Sequence, residues 1–568
     1  MDTHRAILAI ALAFLILFGY QYLFVTPQTE QEQVVTEQVQ QAIPEPPVME
    51  AETQTAAPAA VPSTVPAPAS DAIAAREEPQ AYEVPSSLPA RKGRDITVET
   101  SLYSAAISES GGGLKSFRLK NYKETTQPDS ELKQLITTEA VKNLPLYFSW
   151  GVEPSRAQVP LYTADKEAID AMAGQDQTLT MKATMSSGLE FTRTLVFEPE
   201  NYLIRMSVEI SNPTETALQG APYLSLANQP FSQQAQRYFF SGPAAFMDGK
   251  LEEVKTGDLE KGPKTLKGNI TWLAYEGTYF MTGIIPEQNE KLAARLSADG
   301  DKVTSVLTAP EEVIQSQGRL QYNYLVYFGP KKISTLQEIG HELERAINFG
   351  WFDKLARPAL YLLNFFYQYF GNYGVAIILV TVLIKIIFWP IAQKGLKSMK
   401  NMQKIQPKMA KLKEKYKNDS TRLNQEMMGL YKTYKVNPLG GCLPMLLQIP
   451  VFFALYKVLL QAIELRHAPF MLWITDLSAP DRLWIGLDIP YLGGLPILTL
   501  LMGGSMFLQQ RMTPTPVDPT QAKIMMFLPV IFTFMFLNFA SGLVLYWLVN
   551  NLLSIGQQYM INRQTAAA

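Results

Sequence analysis

The residue types that most often carry out chemistry are scarce and scattered in this chain of 568 residues. There is one cysteine, Cys442, and the three histidines, His4, His341 and His467, lack metal-ligand spacing. No Walker-type loop is present, and a lone thiol cannot form an internal disulfide. We therefore expect no cofactor, no metal site and no enzymatic activity of the nucleophilic-triad kind.

The most informative single side chain is Lys385, which lies inside the apolar run AIILVTVLIKIIFWP. It precedes Trp389 by four residues, so on a helix it lies roughly 6 Å deeper in the membrane. Two interpretations stay open on spacing alone: the side chain extends its ammonium group to the membrane surface, or the charge faces a water-filled cavity on a substrate path. Polar residues in the predicted spans favour the second interpretation, because they could line such a cavity. These residues could also form hydrogen bonds between helices instead. They are Thr381, Gln448, Gln509, Asn550 and Asn551.

Six apolar runs are long enough to position such a residue in a membrane. The first covers 1–25 and resembles an uncleaved signal anchor, because Tyr20, Tyr22 and Phe24 stand where a cleavage site would need small residues. Five more form a core over 359–562. We expect them from Leu360 or Tyr373 to Trp389, then over 443–461, 492–510, 523–539 and 542–560.

Loop charge predicts the orientation of these spans. Residues 391–436 carry twelve Lys or Arg against three acidic residues, which places this loop in the cytoplasm. Both termini are then cytoplasmic, and the segment between the first two spans is outside. The loop itself is predicted to be a helical hairpin, with Met402, Ile405 and Met409 on one stripe.

The outer segment divides into three parts. Residues 26–93 are rich in Pro, Ala, Gln and Glu and are predicted to be a disordered tether. Residues 94–332 alternate apolar and polar positions between turn signals, which predicts an antiparallel β-sandwich. Residues 333–358 take a helical period and are predicted to form an amphipathic helix, which lies at the membrane interface or packs on the β domain.

Three stretches carry a family resemblance. They are NPLGGCLPMLLQIPVFFALYKVL over 437–459, APFMLWITDLSAPD over 468–481 and FASGLVLYWLVNNLLSIGQQYMI over 539–561. Together they closely resemble the YidC membrane protein insertase family, which includes the organellar Oxa and Alb insertases. The anchor, tether and β domain resemble the long form found in Gram-negative bacteria.

The resemblance implies an insertase and chaperone of the bacterial inner membrane, acting alone or with the Sec translocon. It implies a five-helix core around a hydrophilic groove that is closed to the outside, and a β domain with a supersandwich fold. Lys385 occupies the positive position of the first core helix, where arginine is the commoner residue. The candidate groove residues are Lys385, Thr381, Gln448, Tyr546, Trp547 and Asn551.

The expected partners follow from the same resemblance and from charge. They are nascent membrane proteins, the Sec translocon, the lipid bilayer and a ribosome at the basic hairpin. A net charge of −2 argues against binding to a specific nucleic-acid sequence. The main alternative function is a secondary transporter, which predicts internal repeats and paired broken helices that the five core spans do not show. A carbohydrate hydrolase would need a suitably placed pair of carboxylates in the β domain, and we find none.

Overall fold

The computed structural model describes residues 80–81, 93–172, 174–232, 239–287, 291–417, 419–434, 436, 443–486, 489, 492–512 and 519–566. The predicted anchor and nearly all of the predicted tether lie outside these ranges. So does the whole NPLGGC segment, 437–442, before the second core span.

The described residues of the outer segment form 22 strands. The first half comprises β1 Gln80–Ala81, β2 Asp95–Glu99, β3 Tyr103–Ser108, β4 Leu114–Lys123, β5 Leu132–Gln134, β6 Tyr147–Trp150, β7 Thr163–Ala164, β8 Ala168–Asp170, β9 Gln177–Thr184, β10 Glu190–Phe197 and β11 Leu203–Ser211. The second half comprises β12 Leu218–Gly220, β13 Pro222–Asn228, β14 Gly242–Met247, β15 Lys250–Glu253, β16 Lys264–Gly268, β17 Ile270–Glu276, β18 Phe280–Pro286, β19 Leu292–Asp299, β20 Lys302–Thr308, β21 Glu312–Ile314 and β22 Arg319–Pro330.

These strands form one large sheet and three smaller ones, as the alternating pattern predicts. The nine-stranded sheet has the order β15-β14-β17-β18-β22-β11-β10-β9-β7. Two five-stranded sheets have the orders β16-β19-β20-β13-β6 and β5-β4-β3-β2-β8, and a small sheet joins β1, β12 and β21. Strand β10 shows why the sheets stack: its alternate residues are buried, so one face must be covered.

The helices follow the β domain. They are α1 Thr256–Leu259 within it, then α2 Ile333–Ile339, α3 Asp353–Phe370, α4 Tyr373–Lys415, α5 Ser420–Thr433, α6 Leu443–Gln461, α7 Ile497–Met512, α8 Pro519–Phe536 and α9 Ser541–Ala566. Short 3₁₀ turns occur at Val141–Asn143, Leu343–Ala346, Gly350–Phe352 and Ile463–Leu465. Helix α9 packs against α4, α6 and α7, so it is the central helix of the described bundle.

The prediction of one helix over 333–358 is wrong. Helix α2 ends at Ile339, because Gly340, His341 and Glu342 all have positive φ angles that an α-helix cannot contain. A separate amphipathic helix, α3, begins at Asp353 and ends where Gly371 takes a left-handed conformation. The helical spacing of apolar residues is present in the sequence, but these residues belong to two separate elements rather than to one helix.

The helix that contains the predicted first core span begins at Tyr373, and Leu360 belongs to the separate helix α3. Asn372 caps the helix by accepting a hydrogen bond from the Val375 amide at 3.1 Å. Helix α4 then continues for 43 residues, through the predicted span and the first arm of the predicted hairpin, without a break.

Helix α5 returns against this extension and completes the hairpin. A small apolar cluster joins the two arms and consists of Ile405, Met409 and Val436 with Met402, Met427, Leu430 and Tyr431. Among the described residues, α4 is the one helix that is both long and apolar enough to cross a membrane, and the shorter segments Leu446–Gln461 and Met525–Phe536 are also apolar.

Candidate substrate groove

The Lys385 side chain turns toward the interior of the helix bundle. Its Nζ donates to Ser554 Oγ at 2.6 Å and to Asn550 Oδ1 at 3.3 Å, and the residue is half-buried. Asn550 and Ser554 are four residues apart on α9, so both lie on the face that meets α4. In this geometry the ammonium group is held between two helices and does not extend along α4 to the membrane surface.

A small cavity of about 30 Å³ adjoins this contact. Its walls come from α4, α6 and α9, and they include Ile384, Lys385, Phe388, Ile391, Ala392, Leu447, Gln448 and Asn550. One water molecule needs roughly 10–15 Å³ of such space and two or more polar partners. The cavity therefore has the size and polarity to hold water beside the lysine, within otherwise apolar helices.

Gln448 lines this cavity, and Tyr546 lies behind it on α9. The Tyr546 side chain is buried, and its hydroxyl group interacts with the Gln448 side chain across the α6–α9 interface. Thr381 lies one turn before Lys385 and is also buried. Its hydroxyl donates to the Ile377 carbonyl at 2.6 Å within α4, so this group is already satisfied by the backbone.

Two predicted groove residues face elsewhere. Asn551 donates from Nδ2 to Ser505 Oγ at 3.1 Å, on the side of α9 that meets α7. Trp547 packs edge-on against Phe452, with ring centroids 4.8 Å apart, and against Phe536 at 5.0 Å. Lys385, Gln448 and Tyr546 are thus brought together, Thr381 stands beside them, and Asn551 and Trp547 take part in helix packing.

Sequence reasoning missed Ser554 and Gln557. Gln557 donates from Nε2 to the Trp389 carbonyl at 3.3 Å, one turn of α4 beyond Lys385. Asn550, Ser554 and Gln557 follow each other at spacings of four and three residues, which places all three on one helical face. That periodicity is visible in the sequence and could have extended the predicted groove.

A loop closes the opposite, outer end of the bundle. Asp481 is buried, and its carboxylate accepts hydrogen bonds from Trp473 Nε1 at 2.5 Å and from the Leu498 amide at the start of α7 at 2.5 Å. The Ser541 amide donates to the Ala479 carbonyl at 2.8 Å, at the start of α9. The loop therefore holds the first turns of two core helices together.

The same loop also contacts the first turn of α4. Asn372 donates from Nδ2 to the Phe470 carbonyl at 2.7 Å. The Phe470 ring lies against Gly374, where a Cβ atom would be only 2.0 Å from Cδ2 of the ring. Glycine is required here because the ring and the helix backbone approach each other so closely.

Comparison with known families covers both halves of the chain. The family described as 60Kd inner membrane protein matches residues 365–568, and the family described as YidC periplasmic domain matches residues 95–362. The two matches meet close to the junction between the β domain and the helical bundle.

Individual relatives give the same result. The membrane protein insertase YidC of Syntrophobacter fumaroxidans is 44% identical over 487 residues, which are 84% of this chain and 87% of the relative. That of Syntrophus aciditrophicus is 42% identical over 568 residues, covering 99% of each chain. A crystal structure of an active YidC insertase, with its first transmembrane domain resolved, aligns with 83% of this chain and 93% of its own. The sequence identity is 18% and the TM-score is 0.36, so this structural similarity is weak. On the sequence matches, the chain belongs to the YidC family of membrane protein insertases.

Proposed function

We propose that this chain inserts nascent membrane proteins into the bacterial inner membrane and helps them fold there, through a groove centred on Lys385. Family membership supports the insertase activity itself. The observation that supports the groove is the Lys385 ammonium group, held by Asn550 and Ser554 beside a polar cavity. A secondary transporter is not favoured, because the relatives named above are insertases.

The physical task is to move a polar segment of the client across an apolar layer. Burying polar groups without partners costs several kcal/mol, roughly 2–7 for each amide or hydroxyl group. Lys385, Gln448 and the polar face of α9 offer partners to such a segment, and so lower this cost. The apolar segment of the client then leaves sideways into lipid, where its burial contributes roughly 25 cal/mol per Å². None of these steps needs a nucleotide or a covalent intermediate, which fits a protein that is not an enzyme.

Lysine and arginine would act differently at this position. Both are cations and attract an acidic client tail, but lysine lacks the planar guanidinium that binds a carboxylate with two parallel hydrogen bonds. The Lys385 contacts to Asn550 and Ser554 use a single ammonium group. The proposed role therefore depends on charge and not on bidentate geometry.

The arrangement in the membrane is part of the proposal. The division into anchor, tether, β domain, interfacial segment and insertase core fits the loop charges, with both termini cytoplasmic. We assign the interfacial role to α3 rather than to 333–358, because it presents large exposed aromatic side chains. They include Tyr361, Tyr369 and Phe370. The basic hairpin then faces the cytoplasm, where it can meet nascent chains or a ribosome, and the Sec translocon is a further partner.

Reconstitution in liposomes tests the proposal. The purified protein is mixed with a newly made single-span substrate carrying an acidic outer tail, and insertion is followed by protease protection. We compare wild type, Lys385→Leu, Lys385→Arg and empty liposomes. We expect wild type and Lys385→Arg to insert the substrate above the empty control, and Lys385→Leu to fall toward that control.

The outcomes separate the activity from the groove. Equal insertion by wild type and Lys385→Leu would retain the insertase activity and remove Lys385 from the mechanism. Insertion no higher than in empty liposomes would contradict independent insertion and point to a chaperone that requires the Sec translocon.

A further inference from the structure

A second, larger cavity lies between the β domain and the outer ends of the membrane helices. Its volume is about 440 Å³, within the roughly 300–1,000 Å³ range of small-molecule sites. One wall comes from the β domain, including Lys133 and Phe280. The other comes from Leu460 near the end of α6 and from Asn538 and Phe539 between α8 and α9. The cavity is therefore at the level where the helices leave the membrane.

Most charges in this cavity already have partners. Lys133 Nζ forms an ion pair with Glu124 Oε2 at 2.8 Å and also donates to the Phe231 carbonyl at 2.7 Å. Asp476 Oδ1 accepts hydrogen bonds from the His467 amide, the Ser478 amide and the Ser478 hydroxyl. The groups that donate to Asp476 are neutral, so this carboxylate keeps its negative charge.

Arg466 is the exception. Both of its hydrogen bonds run from Nη2, to the carbonyls of Lys123 at 2.7 Å and Glu124 at 3.1 Å. No carboxylate of a described residue lies within ion-pair distance of its guanidinium, which packs 5.3 Å from the Phe280 ring centre. Burial lowers the pKa of Arg466, and the negative charges of Glu124 and Asp476 offset this effect only in part. The N–H groups on Nε and Nη1 remain available for an anion.

A second polar group near the cavity also lacks a partner. The Thr278 hydroxyl oxygen is buried, and it has no hydrogen bond within the part of the chain that the structure describes. Because this oxygen is buried, it lies behind the cavity surface, and Arg466 remains the donor in the wall.

Aromatic side chains complete the walls and identify the chemistry of the ligand. Tyr279, Phe280 and Phe539 give the cavity apolar surfaces next to the charged groups. An anion with an apolar body fits such a site better than a free inorganic ion does. Guanidinium groups bind phosphate oxygens with paired hydrogen bonds, and basic pockets at membrane-helix ends bind lipid headgroups.

We propose that this junction cavity binds the phosphodiester headgroup of an outer-leaflet phospholipid, with Arg466 as the donor to the phosphate. The lipid then forms part of the contact between the β domain and the insertase core. This site is separate from the Lys385 cavity, and the inference does not depend on the groove mechanism.

Lipid titration of the delipidated full-length protein in detergent, followed by native mass spectrometry, tests the site. The probes are palmitoyl-oleoyl phosphatidylethanolamine, the matching diacylglycerol without phosphate, and inorganic phosphate. We expect wild type to bind one more phosphatidylethanolamine than Arg466→Gln, or to bind it about tenfold more tightly, the scale of one lost charge-assisted hydrogen bond. Diacylglycerol should not fill the site. Arg319→Gln, an exposed arginine of the β domain away from the cavity, is the control and should bind as wild type does.

A second measurement does not depend on the folding of a variant. A phosphatidylethanolamine analogue with a photoreactive group beside the phosphate is incorporated into membranes containing wild-type protein, and cross-linked peptides are mapped. Cross-links to segments 466–480 and 278–280 would support the site. Equal binding by wild type and Arg466→Gln overturns the proposal, as do cross-links confined to other segments. Saturation by inorganic phosphate at the same concentration as lipid would assign the site to a free anion instead.

Discussion

Gly503 of α7 lies directly against the side chain of Thr533 of α8: a Cβ atom on Gly503 would be 2.1 Å from Thr533 Oγ1. That oxygen is itself fixed, because it donates to the Pro529 carbonyl at 2.7 Å. Small residues allow membrane helices to approach closely, and here the approach depends on one missing methyl group. The neighbouring Gly504 is exposed, and a Cβ atom added to it would have no neighbouring atom within 4 Å.

Gly503→Ala should therefore destabilise the bundle, and Gly504→Ala should not. Overpacking a well-filled interface costs roughly 1–3 kcal/mol. Alanine in place of an exposed helical glycine is neutral or stabilising, by up to about 1 kcal/mol. Thermal unfolding of both variants in the same detergent measures the difference. Equal melting temperatures for the two would contradict the close α7–α8 contact.

Asn550 and Asn551 are adjacent but should have different roles. Asn550 contacts Lys385, whereas Asn551 contacts Ser505 on α7. We expect Asn550→Ala to reduce insertion of a client with an acidic tail while leaving the melting temperature within a few degrees of wild type. We expect Asn551→Ala to lower the melting temperature, because an interhelical hydrogen bond of about 0.6–2 kcal/mol is lost.

The comparison is made per folded molecule, so that a loss of protein is not mistaken for a loss of activity. Insertion is normalised to the folded fraction recovered by size-exclusion chromatography. If Asn551→Ala impaired normalised insertion more than Asn550→Ala did, the assignment of the two faces of α9 would be reversed.

Asp481→Asn should loosen the outer loop. The carboxylate accepts hydrogen bonds from Trp473 Nε1 and from the Leu498 and Thr499 amides. In the variant, the NH₂ group of the asparagine would face one of these donors. Hydrogen bonds to a charged group contribute about 1.5–3 kcal/mol each, so a clear loss of stability is expected. Limited proteolysis should also cut within 463–496 sooner than in wild type. Asp299→Asn is the control, because that aspartate is 85% exposed and should leave both measurements unchanged.

Stability of the β domain should fall with acidification because of Glu109. This carboxylate is fully buried and accepts from the Arg94 amide at 3.0 Å and from Arg94 Nη2 at 3.1 Å. Burial alone would raise its pKa, but the hydrogen bonds from Arg94 and from the Ala164 amide outweigh that effect, and the pKa is lowered from 4.5. The unfolded chain therefore takes up a proton at a higher pH than the folded chain does.

Stability from this group is present above the unfolded pKa and is lost as pH falls through the lower folded pKa. Melting temperatures between pH 5.5 and pH 3.5 measure the slope. Glu109→Gln should start from a lower melting temperature and show a shallower decline. An unchanged slope in that variant would mean that other carboxylates dominate the acid response.

The sequence predicts elements where one signal dominates. Helix α6 has the predicted bounds of 443–461, because its apolar run has a charged loop on one side and a polar segment on the other. The sequence pattern does not reveal the break at Gly340, because the helical spacing of apolar residues continues past residues whose backbone leaves the helix. Nor could it show that α4 continues through Pro390 and Pro407 to Lys415, because proline signals a helix end more often than a continuation.

The candidate site shows the same contrast between features that a local sequence signal predicts and features that it does not. That Lys385 is unusual is evident from one charge inside an apolar run. Which way its side chain points depends on Asn550 and Ser554, which are 165 and 169 residues away in the sequence. Such a contact is created by the packing of α4 on α9, and no local pattern encodes it. Asn551 was predicted as a groove residue for its polar type and Trp547 from the family resemblance. Asn551 is rotated by about 100° from Asn550 around α9 and meets α7, whereas the Trp547 ring packs against Phe452 and Phe536.

Helix α4 is continuous from the predicted first core span to the end of the first hairpin arm. From Lys385 to Lys415 the helix rises about 45 Å, at roughly 1.5 Å per residue. A tilt of about 10° at Lys385 therefore displaces the far end, at the tip of the hairpin, by roughly 8 Å.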